Sequence, residues 1–191
     1  VCSSDFLISS LATTVNPDGV IATIEKSQLV RAIPHNLQLA LVLENIQDPG
    51  NLGTIMRTSL ATGVDCLFLG KNSANPYQPK VLRSSVGACF HLACEICPDL
   101  VESVKFYQAQ GMQVVATSPS AQTLYWELNF KQPTLLLLGN EASGLSQDLL
   151  QLADHSVRLP LQPHVESLNV AVTSAILLYE RQRQLYCDNF H

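Results

Sequence analysis

The chain has 191 residues, of which 47% are hydrophobic and 14% are charged, and its net charge is −5. This length predicts one full-sized domain with a substantial core, and the composition excludes intrinsic disorder. No apolar run approaches the roughly 20 residues of a membrane span and no secretory signal opens the chain, so no membrane attachment is expected. The acidic balance disfavours phosphate-rich partners unless basic groups are concentrated locally or supplied by a further segment.

Six cysteines without regular spacing are typical of a protein in a reducing compartment, so we expect a cytoplasmic location. Cys94 and Cys97 form a single CxxC with no second pair and no nearby histidine. This pattern favours buried thiols over a zinc or redox site.

In chain order, residues 1–33 carry weak signals, with a turn over 16–19 and a short strand over 20–24, and Pro34 marks a break. Apolar runs then predict strands over 39–43, 66–69, 91–96, 113–117, 135–138 and 156–159. Helices are predicted over 51–62, 81–87, 98 to about 110, 145–153 and 167 to about 186, with a polar loop over 71–79. This alternation predicts an α/β fold, with a mostly parallel sheet flanked by helices on both faces.

Polar and glycine residues stand where several of these strands pass into helices. Gly139, Asn140 and Glu141 directly follow a predicted strand, and Gly144 precedes a helix. Ligands of open α/β sheets bind at such junctions, although a tight turn that needs glycine would explain the same residues. The segment is neither a P-loop nor a GxGxxG dinucleotide fingerprint.

The start of the last predicted helix carries Ser167 and Asn169. Ser167 is expected as the N-cap, or as a ligand-positioning hydroxyl. Asn169 falls in the first turn among apolar neighbours, so its amide requires a partner, either a ligand or a facing backbone carbonyl.

Arg57 is the single charge on the helix predicted over 51–62. One interpretation is a structural ion pair with Glu44 or Asp65. The other is a cation held for a phosphate or a developing alkoxide, which a guanidinium fork suits.

The segments 51–58, 138–145, 159–161 and 167–170 together resemble the three motifs of the SpoU-type RNA ribose 2′-O-methyltransferases, in the SPOUT superfamily. The resemblance spans roughly residues 36–186. It implies a C-terminal trefoil knot, S-adenosylmethionine as cofactor, ribosomal or transfer RNA as substrate, no metal, and a homodimer formed through the knot region.

The resemblance also assigns roles to residues. It implies these catalytic residues: Asn51, Arg57, Glu141, Ser167 and Asn169. It implies these cofactor-binding residues: Thr117, Leu138, Gly139, Asn140, Glu141, Gly144, Leu159, Pro160, Ser167, Leu168 and Asn169. It implies RNA contact by Asn51, Arg57, Lys80 and Arg83.

We therefore expect residues 1–33 to be a linker with the remnant of an N-terminal RNA-binding domain, and residues 34–191 to be the methyltransferase domain. Two alternatives stay open: a knotted methyltransferase that modifies an RNA base, and a non-catalytic RNA-binding assembly protein on the same scaffold. A nucleotide-dependent oxidoreductase is disfavoured because the glycine fingerprint is missing.

Overall fold

The computed structural model describes residues 8, 10–12, 21–25, 28, 30–140 and 142–187. Backbone contacts divide the chain into two units, residues 1–30 and residues 31–191. In the first unit, the strand predicted over 20–24 is wrong, because residues 22–25 have no regular structure and residue 21 makes only a β-bridge. Residue 20 lies outside the described residues.

The second unit contains the helices and strands that follow. The strands are β1 Leu39–Leu43, β2 Cys66–Gly70, β3 Ala93–Cys97, β4 Gln113–Thr117, β5 Thr123–Leu124, β6 Thr134–Leu138 and β7 His155–Arg158. The helices are α1 Pro49–Ala61, α2 Pro79–Ser84, α3 Leu100–Ala109, α4 Gln147–Leu152 and α5 Val170–Cys187. Two short 3₁₀ turns cover Ala88–Phe90 and Tyr125–Glu127. The sequence did not predict β5 or these turns.

The seven strands form one sheet in the order β3-β2-β1-β6-β4-β7-β5, and every strand pair in it is parallel. β1 and β6 lie side by side at the centre, with Leu39 opposite Thr134 and Leu43 opposite Leu138. Every residue of both strands is buried, as expected for a parallel sheet covered on its two faces. The predicted α/β class with a parallel sheet is confirmed.

Side chains alternate between the two faces of each strand and so supply two separate cores. Leu39 and Leu41 belong to the core that α1, α2 and α5 cover, whereas Ala40 and Val42 belong to the core under α3 and α4. Helices α2 and α5 both pack against α1, and α3 packs against α4. The carboxyl ends of the strands stay open to loops.

Short polar residues fix where the helices begin. Asp48 accepts a hydrogen bond from the Asn51 backbone N–H at 2.9 Å, and this bond holds the pKa of Asp48 below its ordinary value. Asp99 caps α3 in the same way, accepting from Val101 N–H at 2.8 Å. The last helix begins at Val170 rather than at the predicted residue 167, because Asn169 takes the capping role that Ser167 was expected to fill.

Two further expectations concern membranes and thiols. None of the described helices is long and apolar enough to span a membrane.

Cys94 and Cys97 are free thiols on β3, and burial raises the pKa of Cys94 to about 12 and raises the pKa of Cys97. Because the thiolate is the form that binds zinc or reacts, these shifts agree with the buried-thiol interpretation.

Candidate active site

A cavity of about 400 Å³ lies where β4, β6 and β7 end. Three stretches of chain form its wall: the end of β4 with the loop after it, the loop that follows β6, and the segment between β7 and α5. The residues lining it are Thr117, Ser118, Pro119, Leu138, Gly139, Asn140, Ala142, Ser143, Gly144, Val157, Arg158, Leu159, Leu161, Glu166, Ser167, Leu168, Val170 and Thr173. A cavity of this size and position is typical of a small-molecule site in an α/β fold.

Most residues that the sequence assigned to cofactor binding line this cavity. They are Thr117, Leu138, Gly139, Asn140, Gly144, Leu159, Ser167 and Leu168. Pro160 is exposed and is not part of the wall, and Asn169 is also outside it. Glu141 lies outside the described residues, so its predicted role stays a prediction.

The loop after β6 is held in a closed shape by its own backbone. Asn140 N–H donates to Gly144 O at 3.2 Å, and Gly144 N–H donates to Asn140 O at 2.8 Å. The Asn140 side chain adds three bonds: it donates to Asn45 O at 2.9 Å and accepts from the backbone N–H groups of Ala142 and Ser143. Asn140 therefore shapes the loop through its side chain.

Gly139 is required by close packing at this loop. A Cβ placed on Gly139 would collide with the carbonyl group of Gly144 and with the backbone nitrogen of Leu145, well inside 3.0 Å. Gly144 adopts a φ of +68°, a left-handed conformation that favours glycine. The two glycines thus serve the turn itself, which was the alternative interpretation of the sequence, and the turn forms part of the cavity wall.

Glu44 connects this loop to the end of β1. Its carboxylate accepts a hydrogen bond from Ser146 N–H at 2.7 Å, and its backbone N–H donates to Leu138 O at 2.9 Å. Ser146 in turn is the N-cap of α4. The sequence reasoning considered Glu44 only as a partner for Arg57 and missed this contact, because the two bonded residues are 102 positions apart.

Asn169 joins the starts of α1 and α5. Its side-chain oxygen accepts from the N–H groups of Ala171 and Val172, and its amide nitrogen donates to the side-chain oxygen of Asn51 at 2.9 Å. The amide expected to meet a ligand or a backbone carbonyl therefore meets two backbone N–H groups and a second amide. Asn51 is thereby placed beside the segment that contributes Ser167 and Leu168 to the cavity.

Arg57 is exposed on α1, and no hydrogen bond or ion pair joins its guanidinium to any other described residue. Asp65, one suggested partner, accepts from the backbone N–H groups of Gln38 and Leu39. Glu44, the other, bonds Ser146. The ion-pair interpretation is therefore wrong within the described part of the chain, and the guanidinium is available to a ligand, although it lies outside the cavity wall.

The two further basic residues assigned to RNA lie on α2, beside α1. Lys80 forms an ion pair with Asp48, with 3.7 Å between Nζ and Oδ1, and both side chains are about half exposed or more. Arg83 is exposed in the last turn of α2. Ser84 Oγ lies 2.9 Å from Lys80 O in its own helix and 3.1 Å from Pro49 O, so α2 contacts the start of α1 at this side chain.

Two charged residues in the cavity wall were not predicted. Arg158, at the end of β7, and Glu166, directly before Ser167, are the charged residues that line it among the described positions. Each stands next to a predicted motif, Arg158 before Leu159 and Glu166 before Ser167. Adjacency to these motifs was the signal that could have found them.

Comparison with known proteins agrees with this geometry. The model of the SpoU rRNA Methylase family matches residues 38–179. An uncharacterized tRNA/rRNA methyltransferase from Synechocystis sp. is 45% identical over 178 residues, covering 93% of this chain and 65% of the relative. A 23S rRNA (guanosine(2553)-2′-O)-methyltransferase from Bacillus subtilis is 34% identical, covering 92% of this chain and 69% of the relative.

A solved structure shares the fold. The AdoMet-bound rRNA methyltransferase from Sinorhizobium meliloti superposes with a TM-score of 0.82 at 29% sequence identity, covering 95% of this chain and 70% of that chain. The chain thus spans between 65% and 70% of the length of these three proteins.

Proposed function

The chain belongs to the SpoU rRNA methylase family, and from this premise we propose that it transfers a methyl group from S-adenosylmethionine to a ribose 2′-hydroxyl of ribosomal or transfer RNA. The observation that carries the proposal is the meeting of the loop after β6 with the segment before α5 in one cavity, next to α1.

The cavity fits the proposed cofactor in size and in chemistry. Apolar side chains, among them Leu138 and Leu159, offer contact to a nucleoside base, while the Thr117 hydroxyl, which donates to Leu137 O, can accept a hydrogen bond. S-adenosylmethionine carries a carboxylate as well as ammonium and sulfonium cations. Arg158 and Glu166 supply one charge of each sign in the wall, and we assign them to the amino-acid part of the cofactor.

When bound, S-adenosylmethionine supplies a methyl carbon activated by its sulfonium. The 2′-hydroxyl is a poor nucleophile, so the chain must stabilise alkoxide character and orient the ribose. Arg57 performs the first task in this proposal, because its guanidinium is exposed and its two candidate carboxylates are engaged elsewhere. A guanidinium keeps its protons, so the hydroxyl proton passes to an RNA phosphate or to solvent.

Asn51, Ser167 and Asn169 act as positioning residues in this mechanism. The Asn51–Asn169 bond fixes the first turn of α1 against the cap of α5, and Ser167 presents its side chain at the cavity. The predicted contribution of Glu141 remains part of the proposal. Lys80 and Arg83 are assigned to RNA phosphates because they are exposed on the helix that is tied to the start of α1.

The trefoil knot is part of the same proposal. In the strand order, β7 follows β4 towards one edge of the sheet. The helix after β7, which is α5, nevertheless packs against α1, the helix that follows β1. The segment 159–169 must therefore cross the open ends of β4 and β6, close to the loop after β6 that shares the cavity. This crossing supports a threaded connection.

A homodimer is also proposed, through the outer faces of α1 and α5. Val172, Tyr179 and Tyr186 recur every seven residues along α5 and are each about half exposed, as is Leu60 on α1. Seven-residue spacing places these side chains in one stripe, which fits pairing with a second copy. Light scattering at micromolar concentration tests this, and a stable monomer would contradict it.

The remaining proposals concern location and the first residues of the chain. Free buried thiols support a cytoplasmic site of action, and the separation of residues 1–30 as a unit supports a distinct role for this end of the chain.

The test of the function compares Arg57→Ala with Lys105→Ala, which removes an exposed charge from α3 on the opposite layer. S-adenosylmethionine binding by calorimetry is expected to be unchanged in both variants. Methyl transfer to RNA from a strain lacking the protein should fall by about 100- to 1,000-fold in Arg57→Ala alone. Nucleoside mass spectrometry of the product then separates 2′-O from base methylation.

An Arg57→Ala variant that methylates at nearly the wild-type rate would refute the assigned role. A wild-type chain that binds the cofactor but transfers no methyl group would instead favour the non-catalytic alternative.

A further inference from the structure

Val86 occupies a strained position in the turn after α2. Its φ is +49°, a left-handed conformation that is unusual for any residue other than glycine and most unfavourable for a β-branched one. Its side chain is 68% exposed, so the strain is not offset by burial. The one backbone bond its N–H makes, to Arg83 O at 3.2 Å, would form equally with another residue there.

A second exposed apolar side chain follows within the same turn. Phe90, at the end of the 3₁₀ turn, is 41% exposed, and its backbone oxygen accepts a hydrogen bond from Arg31 Nε at 2.7 Å. Arg31, Lys80 and Arg83 are all exposed. Phe90 is thus an aromatic ring set among cations, a combination typical of surfaces that bind unpaired nucleic acid, and Val86 is a further exposed apolar residue four positions before it.

The charge of this part of the chain contrasts with that of the whole. Between residues 48 and 94 there are four basic residues and two acids, although the chain carries a net charge of −5. One of the acids, Asp48, forms an ion pair with Lys80, so Arg57, Lys71 and Arg83 account for the local excess of positive charge. Asp65 is engaged with backbone N–H groups at the start of β1. The surface around Val86 therefore suits a polyanion.

The turn is also fixed to the proposed catalytic helix. Ser84 Oγ lies 3.1 Å from Pro49 O, and both α2 and the 3₁₀ turn after Val86 pack against α1. An RNA segment that contacts Asn51 and Arg57 on α1 can therefore extend over this turn.

We propose that Val86 and Phe90 form an apolar wedge that contacts unstacked bases of the RNA substrate, while Arg31, Lys80 and Arg83 neutralise neighbouring phosphates. This inference rests on the proposed function and names the part of the surface that recognises single-stranded RNA. The strain at Val86 is retained because the apolar tip contributes to RNA contact.

The experiment uses Val86→Gly and Val86→Asn, which both tolerate positive φ and remove the apolar tip. Their thermal unfolding midpoints should equal or exceed that of the wild type. Their affinity for unmethylated RNA, measured by filter binding, should fall by about fivefold to tenfold, in line with the loss of one apolar side chain from the contact. The salt dependence of binding should stay unchanged, since no phosphate contact is removed.

Three controls accompany these variants. Val86→Met keeps an apolar tip and should retain RNA affinity. Phe106→Ala removes an exposed aromatic ring from α3 and should leave binding unaltered. Arg31→Ala should instead lower the salt slope by about 0.7.

Val86→Gly that binds RNA as tightly as the wild type overturns the inference. A change in the oligomeric state of Val86→Gly without a change in RNA affinity also overturns the inference, because it would show that the turn contacts a second copy of the chain and not RNA. Failure of the wild-type chain to methylate any RNA would refute the proposed function instead, and cofactor binding would identify that case.

Discussion

Gly139→Ala tests whether the closed loop after β6 is needed for cofactor binding. The added methyl group would meet the Gly144 carbonyl and the Leu145 nitrogen, both of which are backbone atoms and cannot rotate away. The end of β6 at Gly139 and the loop residues Gly144 and Leu145 must therefore move apart.

The cost follows from the bonds that this separation breaks. The Asn140–Gly144 bridge has one bond of 2.8 Å and one of 3.2 Å, and an opening of about 0.4 Å already takes the longer bond beyond hydrogen-bond range. Losing both bonds in a loop that water can reach costs about 1–2 kcal/mol. For a chain of this size, that corresponds to a drop of about 2–8 °C in the thermal midpoint.

The matched control is Gly111→Ala. Gly111 follows α3 with a φ of +93°, and no atom lies within 4 Å of a Cβ placed there. An alanine at positive φ costs about 1–2 kcal/mol, so both variants lose similar stability. Calorimetry should show S-adenosylmethionine affinity lowered at least tenfold in Gly139→Ala and unchanged in Gly111→Ala. Equal affinity in the two variants would refute the argument from loop geometry.

Two further predictions concern single contacts. Glu44→Ala removes the acceptor for Ser146 N–H and should weaken S-adenosylmethionine binding about tenfold at little cost in kcat, whereas Glu44→Gln keeps an acceptor and should bind nearly as the wild type. An unchanged KM in Glu44→Ala would show that the loop holds its shape without this bond. Arg181 is 7% exposed, and its Nε has no hydrogen-bond partner among the described residues. Arg181→Met should leave the free energy of unfolding in urea unchanged or raise it by about 1 kcal/mol, and a fall above 3 kcal/mol would contradict this.

The sequence predicted the fold well because the central strands carry an unambiguous signal. A run such as Leu39–Leu43 is apolar at every position, which requires cover on both faces and so a parallel sheet with two helical layers. Motif residues directly after such strands must then share one edge of the sheet, and this is why Leu138, Gly139 and Leu159, which the sequence predicts at one site, all line the same cavity.

The partners of individual side chains could not be predicted in the same way. Ser167 and Asn169 are both good capping residues, and local sequence does not decide between them. The tertiary contact with Asn51, which is 118 positions away, and the Ala171 N–H fix Asn169 as the cap. Ser167 is thereby left in the cavity wall.

The order of the strands in the sheet could not be predicted from the sequence either. Nothing local indicates that β6 enters between β1 and β4, yet this insertion brings Glu44, at the end of β1, next to the loop after β6. The contact between Glu44 and Ser146 could therefore be identified only from the strand order.

The acidic net charge disfavours RNA binding only if the charges are spread evenly, and they are not. Ten of the 16 acidic residues follow Cys94, whereas residues 48–94, which form α1, α2 and the turn at Val86, carry four of the 11 basic residues and two acids, Asp48 and Asp65. Charges separated by more than about 8–10 Å are largely screened at physiological salt, so a phosphate responds to the cations beside it. In the proposed RNA complex, a local excess of this kind would supply few phosphate contacts, so the proposal requires apolar base contact as well. We assign that contact to Val86, which is exposed and held in a strained conformation, together with the exposed ring of Phe90.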